Sequence, residues 1–319
     1  MGLTVDERLD ALFSEAEDER RCLARPESAA NHRAILRRIP SEISSPMPGL
    51  YARNDHWNAL DRTQRALHVA RALAKLHPSW VFCGPTAAAA WNLETPHTLL
   101  GQTYIAGTHR SAASTPHVKR LFTIVETVSL AEGIPACDSE TAAIDCCRIA
   151  TFPEGLAVMD SLLRSFGEDP RRLAELIDAR FAKRRGVARA RIALRFADGN
   201  SENGGESFAR GVMIEEGFLP PRLQVEIPDP VEPGRMYRVD YLWETDGGVI
   251  VGELDGRDKL ADPALRKGKS MADVLRDERT RESRLTVTGA KVMRFSFKDV
   301  LDRKRFVRTL EAFGVPRCR

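Results

Sequence analysis

Four carboxylates beyond residue 200 have the spacing of a cation site. The run RVDYLW carries Asp240, and VIVGELDG, reached after a Gly-Gly turn, carries Glu253 and Asp255. The β-branched and aromatic neighbours of these acids predict two adjacent strands. The side-chain period of two puts Glu253 and Asp255 on one face of the second strand. Like charges at the end of an otherwise apolar strand repel and lose hydration unless a cation lies between them. Glu206 adds a fourth acid from the first turns of a predicted helix, and Lys259 adds a cation four residues after Asp255. All seven histidines (His32, His56, His68, His77, His97, His109 and His117) fall in the first 117 residues, and of the six cysteines only Cys318 lies beyond Cys147. An all-oxygen ligand set selects Mg²⁺ or Mn²⁺ over zinc. On this reading Asp240, Glu253 and Asp255 hold the ion, Glu206 supports the ion or its water, and Lys259 lies near the reacting group. A hard cation so placed binds phosphate oxygens and acidifies a water, and a lysine stabilises developing charge, which is the chemistry of phosphodiester hydrolysis. The ordinary alternative is that Asp240 and Glu253 form ion pairs with Arg238 or Arg210.

The elements that must position these residues read as follows. Glu202 to Glu216 is a predicted helix ended by Gly217, and Leu223–Ile227, Tyr237–Trp243 and Val249–Leu254 are predicted strands. A charged helix follows over about Ala264 to Gly289, then a strand in AKVMRFSF and a last helix over 298–313. The order αβββαβα describes an α/β domain with a central mixed sheet flanked by helices. Upstream, residues 3–23 and 28–39 read as helices, and EISSPMPGLYA as a loop running into a short strand. An amphipathic helix capped by Asp61 covers 61–76, VFCG is a strand, and Pro85 opens a helix in PTAAAAWNL. Short strands are expected between Gly101 and Thr127, and helices over 138–150, with Asp138 or Ser139 as N-cap, and 153–166. This half is α+β.

The chain has 319 residues, 43% hydrophobic and 29% charged, with a net charge of +3, and no apolar run long enough to span a bilayer. Its length allows two domains of ordinary size. There is no C-x-x-C pair, no G-x-S-x-G elbow and no Walker A loop, so zinc, serine-hydrolase and ATP chemistry are not implied. The acidic N-terminus lacks the order of a signal peptide, so a reduced, cytoplasmic setting is expected, with Cys146 and Cys147 as core residues of a helix. Charge is uneven. Residues 171–195 hold nine cations against Glu175 and Asp178, a balance of +7 that leaves −4 for the rest of the chain. Two amphipathic helical pieces broken at Gly186 would carry Arg171, Arg172, Arg180, Lys183, Arg184, Arg185, Arg189 and Arg191 outward. They form either a solvated face or a strap for a phosphate backbone. The turn-rich ADGNSENGG that follows marks a domain boundary near residue 200.

GGESFARGVMIEEGFLPPRLQVEI, YRVDYLW, VIVGELDGRDK and ERTRESRLTVTGAKVMRFSF resemble the Vsr-like (very-short-patch-repair-like) group of the PD-(D/E)XK nuclease superfamily, over about residues 200–314. The resemblance implies a restriction-endonuclease-like fold with metal-binding acids at Asp240 and Glu253, Glu206 on the first helix and Asp255 beside them. Asp255 stands where that group has a lysine, so Lys259 takes the lysine's part from the following loop, and the histidine often found after Asp-Gly is absent. PGLYARNDHWNALDRTQR, VFCGPTAAAAWNL and GIPACDSETAAIDCCR are similar to the AbiEi-type antitoxin/regulator domain, over about 28–165. That resemblance implies a DNA-binding winged helix, with Arg33, Arg37 and Arg38 as its basic residues.

The expected organisation is an N-terminal helix (1–27), an AbiEi-like regulator domain (28–165), a basic helical linker (166–199) and a nuclease-like domain (200–319). The expected function is metal-dependent endonucleolytic hydrolysis of DNA. The alternatives are a DNA-binding regulator or antitoxin whose nuclease-like domain is inactive, and an interaction module that contacts a cognate toxin.

Overall fold

The computed structural model describes residues 3–107, 113–255 and 270–318. No helix among them is long and apolar enough to cross a membrane. The chain divides into two α/β units, one of residues 1–151 with 168–195 and the other of 152–167 with 196–319. One break between the units, at 195/196, falls close to residue 200, and residues 152–167 are grouped with the second unit as well. The basic segment folds with the first unit, and the helix before it belongs to the second.

In the first unit, a capping box between Thr4 and Glu7 opens α1 (Val5–Asp18). It is followed by β1 (Leu23–Ala24), α2 (Ala29–Arg38), β2 (Ile43–Met47) and β3 (Leu50–Arg53). The strands form an antiparallel sheet in the order β1-β3-β2. Leu9, Phe13, Ile35, Ile43 and Tyr51 are buried together against it. The segment expected as a loop is thus partly strand. Pro46 is tolerated because β2 is an edge, and the pairing shifts register between Ser44 and Met47.

After α3 (Asn54–Ala59), α4 (Arg62–Leu76) starts where the Asp61 carboxylate accepts from Gln64 N, as its cap position predicts. The all-buried GPTAAAA forms α5 (Gly84–Ala90), with Pro85 in its first turn. VFCG contributes only two isolated bridges, from Phe82 to Ile105 and to Ala136, because Cys83 already N-caps α5. β4 (Thr103–Gly107) pairs in parallel with β5 (Val118–Phe122), and β6 (Val128–Ala131) pairs antiparallel with β7 (Ile134–Cys137). Asp138 caps α6 (Ser139–Ile149), where Cys146 and Cys147 are buried as expected; burial pushes the Cys146 thiol well above its usual pKa. The basic segment forms α8 (Pro170–Phe181) and α9 (Val187–Phe196), broken at Gly186. Gly186 has φ +83°, and a Cβ there would lie 2.2 Å from the Arg148 carbonyl oxygen, so only glycine fits.

The second unit is built on a four-stranded mixed sheet in the order β11-β10-β9-β8. Its strands are β8 (Arg222–Pro228), β9 (Met236–Thr245), β10 (Gly248–Asp255) and β11 (Lys291–Ser296), with β10 and β11 parallel and the other pairs antiparallel. Its helices are α7 (Phe152–Phe166), α10 (Gly204–Glu215), α11 (Met271–Val287), α12 (Phe297–Leu301) and α13 (Arg303–Phe313). Residues 264–269 of the expected charged helix lie outside the described residues. The last expected helix is two, because Asp302 ends α12 and caps α13. Val212, Met213, Tyr241, Trp243, Met293 and Phe306 form the larger buried cluster, and Val239, Leu242, Val251 and Leu285 form a second. α7 packs closely on α10: a Cβ on Gly211 would lie 2.6 Å from Pro153 Cα. The buried Asp160 carboxylate takes both oxygens to the Arg210 guanidinium, at 2.9 and 2.7 Å.

Candidate carboxylate site

β9 and β10 pair as far as Gly252 opposite Tyr241, so Asp240 and Glu253 are the next residues on the two strands. Leu254 N donates to Asp240 Oδ2 at 2.9 Å, which fixes the Asp240 carboxylate at the end of β10. Glu206 enters from the first turn of α10. Asn203 N-caps that helix by accepting from Glu206 N at 3.0 Å, and its amide donates back to Glu206 Oε1 at 2.6 Å. Glu202 N adds a bond to Glu206 Oε2 at 2.8 Å. Across the sheet, the Tyr241 hydroxyl donates to the Glu206 carbonyl at 2.9 Å and so ties the start of α10 to β9.

Gln224 joins two of the acids. Its Nε2 donates to Glu206 Oε2 at 3.2 Å and lies 3.5 Å from Asp240 Oδ1. It lies on β8 between the pairs Leu223↔Tyr241 and Val225↔Val239, yet its φ is +51°. A left-handed conformation inside a strand costs a non-glycine residue roughly 1–3 kcal/mol, and such strain collects at functional positions. No periodicity marks this residue. A glutamine within LQVEI reads as the outward member of an alternating strand, so Gln224 escapes sequence reasoning.

Glu253 is the least satisfied of the acids. It is 7% exposed, and its Oε1 is buried without a hydrogen bond. Its nearest cation is Arg281 of α11, with Nη2 2.7 Å from Oε1 but not aligned as a hydrogen bond. Burial first and the neighbouring Asp240 charge second push the Glu253 pKa up, against the pull of Arg281 and Arg294. The Arg281 guanidinium also donates to the Arg238 carbonyl. The partners expected on the ordinary reading are engaged elsewhere: Arg210 holds Asp160, and Arg238 pairs with Glu202.

Asp255 is turned to a different task. Arg294, on β11, donates Nε to Asp255 Oδ1 at 2.9 Å, and the Asp255 side chain is 43% exposed. The structure therefore brings Glu206, Asp240 and Glu253 to one end of the sheet and holds Asp255 on an arginine beside them. Among the described residues no three His, Cys, Asp or Glu side chains are grouped so as to hold a metal ion. Lys259 lies outside the described residues. The acids that could hold a hard cation are fewer than the expected trio, Asp240 and Glu253, and Arg281 now lies against the second of them.

In the basic segment, three of the eight cations expected to face a phosphate backbone are neutralised. Arg172 pairs with Glu140 at 2.9 Å, Arg180 with Glu126 at 2.5 Å, and Arg191 with Asp178 at 2.7 Å. Arg189 donates to the Ala150 carbonyl at 3.4 Å, and the Arg184 guanidinium lies 3.9 Å from the Phe122 ring centre. Arg171, Lys183, Arg184, Arg185 and Arg189 make no ion pair among the described residues, which concentrates available positive charge at the turn between α8 and α9.

No protein-family model matches the chain, and no solved structure matches it. Two curated proteins are similar to it, the uncharacterized proteins MT2308 of Mycobacterium tuberculosis strain CDC 1551 / Oshkosh and Rv2248 of strain ATCC 25618 / H37Rv. Each is 34% identical over 164 residues, covering 51% of this chain and 58% of the relative.

Proposed function

We propose that the second unit is a metal-dependent DNA endonuclease with a restriction-endonuclease-like fold, acting on cytoplasmic DNA, with Asp240 and Glu253 as its metal ligands. The single observation that carries this reading is the buried Glu253 carboxylate beside Asp240, whose Oε1 has no aligned hydrogen bond and only the Arg281 charge against it. Two neighbouring buried acids facing one poorly aligned arginine are incompletely compensated, and a divalent cation shared between them would complete the compensation. When bound, Mg²⁺ or Mn²⁺ would supply Lewis-acid activation of the phosphate and acidification of a water. The chain's own residues do the rest. Leu254 N and Gln224 orient Asp240, and Asn203 and Glu202 N hold the Glu206 carboxylate, which is placed to orient a water beside Asp240. Asp255 acts through Arg294 and positions the end of β10 and β11. Arg281, which now lies against Glu253, would be available to a phosphate if a cation took its place beside that carboxylate.

In the first unit, the order helix, strand, helix, two-stranded hairpin, with sheet order β1-β3-β2, supports the winged-helix reading and DNA binding. The free cations from Lys183 to Arg185 support a phosphate contact from the same unit.

One observation favours a second reading. Arg281 occupies the position beside Glu253 that a metal would neutralise, as in a regulator or antitoxin whose nuclease-like unit binds DNA without turnover. Calorimetric titration of Mn²⁺ separates the two. The nuclease reading predicts saturable binding by the wild type, lost in both Asp240→Ala and Glu253→Ala. Binding that is absent from the wild type, or intact in both variants, contradicts it and leaves the regulator.

A further inference from the structure

The first unit contains a cavity of about 280 Å³ between α3, the first turns of α4, and the segments around residues 97–103 and His117. Its walls are of two kinds. Pro46, Met47, Val69 and Leu100 are apolar, with the Trp57 ring beside them, whereas Arg62, Arg65, His97 and His117 supply N–H donors. No carboxylate lines it among the described residues. Neither arginine makes an ion pair among the described residues, although Arg65 is half-buried and most other buried and half-buried arginines are paired.

Arg65 is held in place by neutral groups alone. Its Nε donates to the Trp57 carbonyl at 2.9 Å, its Nη2 to the Asn58 carbonyl at 3.3 Å, and its guanidinium carbon lies 5.4 Å from the Trp57 ring centre. These contacts preorganise the charge without cancelling it, and Nη1 has no partner among the described residues. Arg62, the first residue of α4, is exposed and has no partner among the described residues. Two uncompensated guanidiniums beside an aromatic and aliphatic wall fit a ligand that is anionic at one end and flat and apolar at the other. Ligand pockets run roughly 300–1,000 Å³, so this one takes a single small ligand.

We propose that this cavity binds one nucleotide monophosphate unit, its phosphate on Arg62 and Arg65 and its base among Trp57, Met47 and Leu100. The unit is either a free mononucleotide or the phosphorylated end of a single strand; the recognition chemistry is the same. The site lies within the first unit and stands independently of the nuclease reading.

Calorimetry and tryptophan fluorescence of the full chain test it with dAMP, deoxyadenosine, inorganic phosphate and a 5′-phosphorylated single strand of about six nucleotides. The expected result is saturable dAMP binding, with deoxyadenosine and phosphate each at least about 10-fold weaker, since each lacks one of the two interactions. Arg62→Ala weakens dAMP by about 10-fold or more. Its melting temperature stays at the wild-type value, because the side chain is exposed and has no partner among the described residues. Asp240→Ala binds dAMP as the wild type does. Tighter binding of the strand than of dAMP identifies a strand end as the ligand, and equal or weaker binding identifies the free nucleotide. Absence of saturable binding by both would overturn the proposal. So would phosphate binding as tight as dAMP, or affinity unchanged in both Arg62→Ala and Trp57→Leu.

Discussion

Glu253 and His68 show how burial, more than charge count, sets the behaviour of single residues here. At Glu253 burial and Asp240 raise the folded pKa, so the protonated form is favoured. Its contribution to stability is present below the ordinary carboxylate pKa and is lost as pH rises through the raised value. Ionising Glu253 therefore costs the folded state stability, because burial and the Asp240 charge disfavour the carboxylate. Glu253→Gln removes that charge and should raise the melting temperature in EDTA by about 1–2 °C, the effect of about 1 kcal/mol in a chain of 319 residues. A lower melting temperature would mean that the Arg281 ion pair outweighs desolvation.

His68 works in the opposite sense. Its Nδ1–H donates to the Gln64 carbonyl at 2.8 Å, which leaves Nε2 to accept from His56 Nε2 at 3.2 Å. Burial first, then the charges of His56, Arg71 and Arg20, hold its pKa down to about 4 from the usual 6.5. The unfolded chain binds more protons between those values, so this contribution is present above pH 6.5 and lost as pH falls to about 4. His68→Gln should flatten the fall in urea midpoint between pH 7 and pH 4, and an unchanged fall would contradict this account of the His pair.

At the scale of elements, α7 and the α8–α9 turn are decisive. Asp160 on α7 is buried and neutralises Arg210 on α10, the helix that presents Glu206. Asp160→Ala leaves a buried guanidinium without its partner and should cost about 3–5 kcal/mol, read as a large fall in urea midpoint. A fall of less than about 1 kcal/mol would mean that Arg210 finds another partner. For α8 and α9, the pairs made by Arg172, Arg180 and Arg191 limit what the +7 segment can offer DNA. Replacing Lys183 and Arg185 together with alanine should reduce the salt slope of duplex binding by about 2, whereas Arg191→Ala should leave it nearly unchanged. Equal effects would show that the ion pairs open freely to meet phosphate. These elements were unequally legible from sequence. Gly217, Asp138, Asp61 and Gly186 act locally through caps and turns, and their helices fall where the residue types predict. The partner of α7 is a long-range matter: its amphipathic pattern shows a face to be buried and nothing about which helix covers it. Pro46 misled for the related reason that its strand is an edge, a property of the sheet and not of the segment.

For the whole molecule, the asymmetry of chemistry-bearing residues carries through to the structure. The second unit has no histidine and one exposed cysteine, and its acids gather where β9 and β10 part. The place of Asp240, Glu253 and Glu206 was legible, because strand period and a helix start are local. The service of Gln224, the commitment of Asp255 to Arg294 and the approach of Arg281 were not, since each depends on residues distant in sequence meeting across the sheet. The central claim, that Asp240 and Glu253 form the working centre of a DNA nuclease, is tested most directly by the cleavage of supercoiled plasmid by the purified full chain in Mg²⁺ or Mn²⁺. The account predicts metal-dependent nicking that falls at least about 100-fold in Asp240→Ala. Cleavage by Asp240→Ala at the wild-type rate, or no metal-dependent cleavage by the wild type, would contradict it.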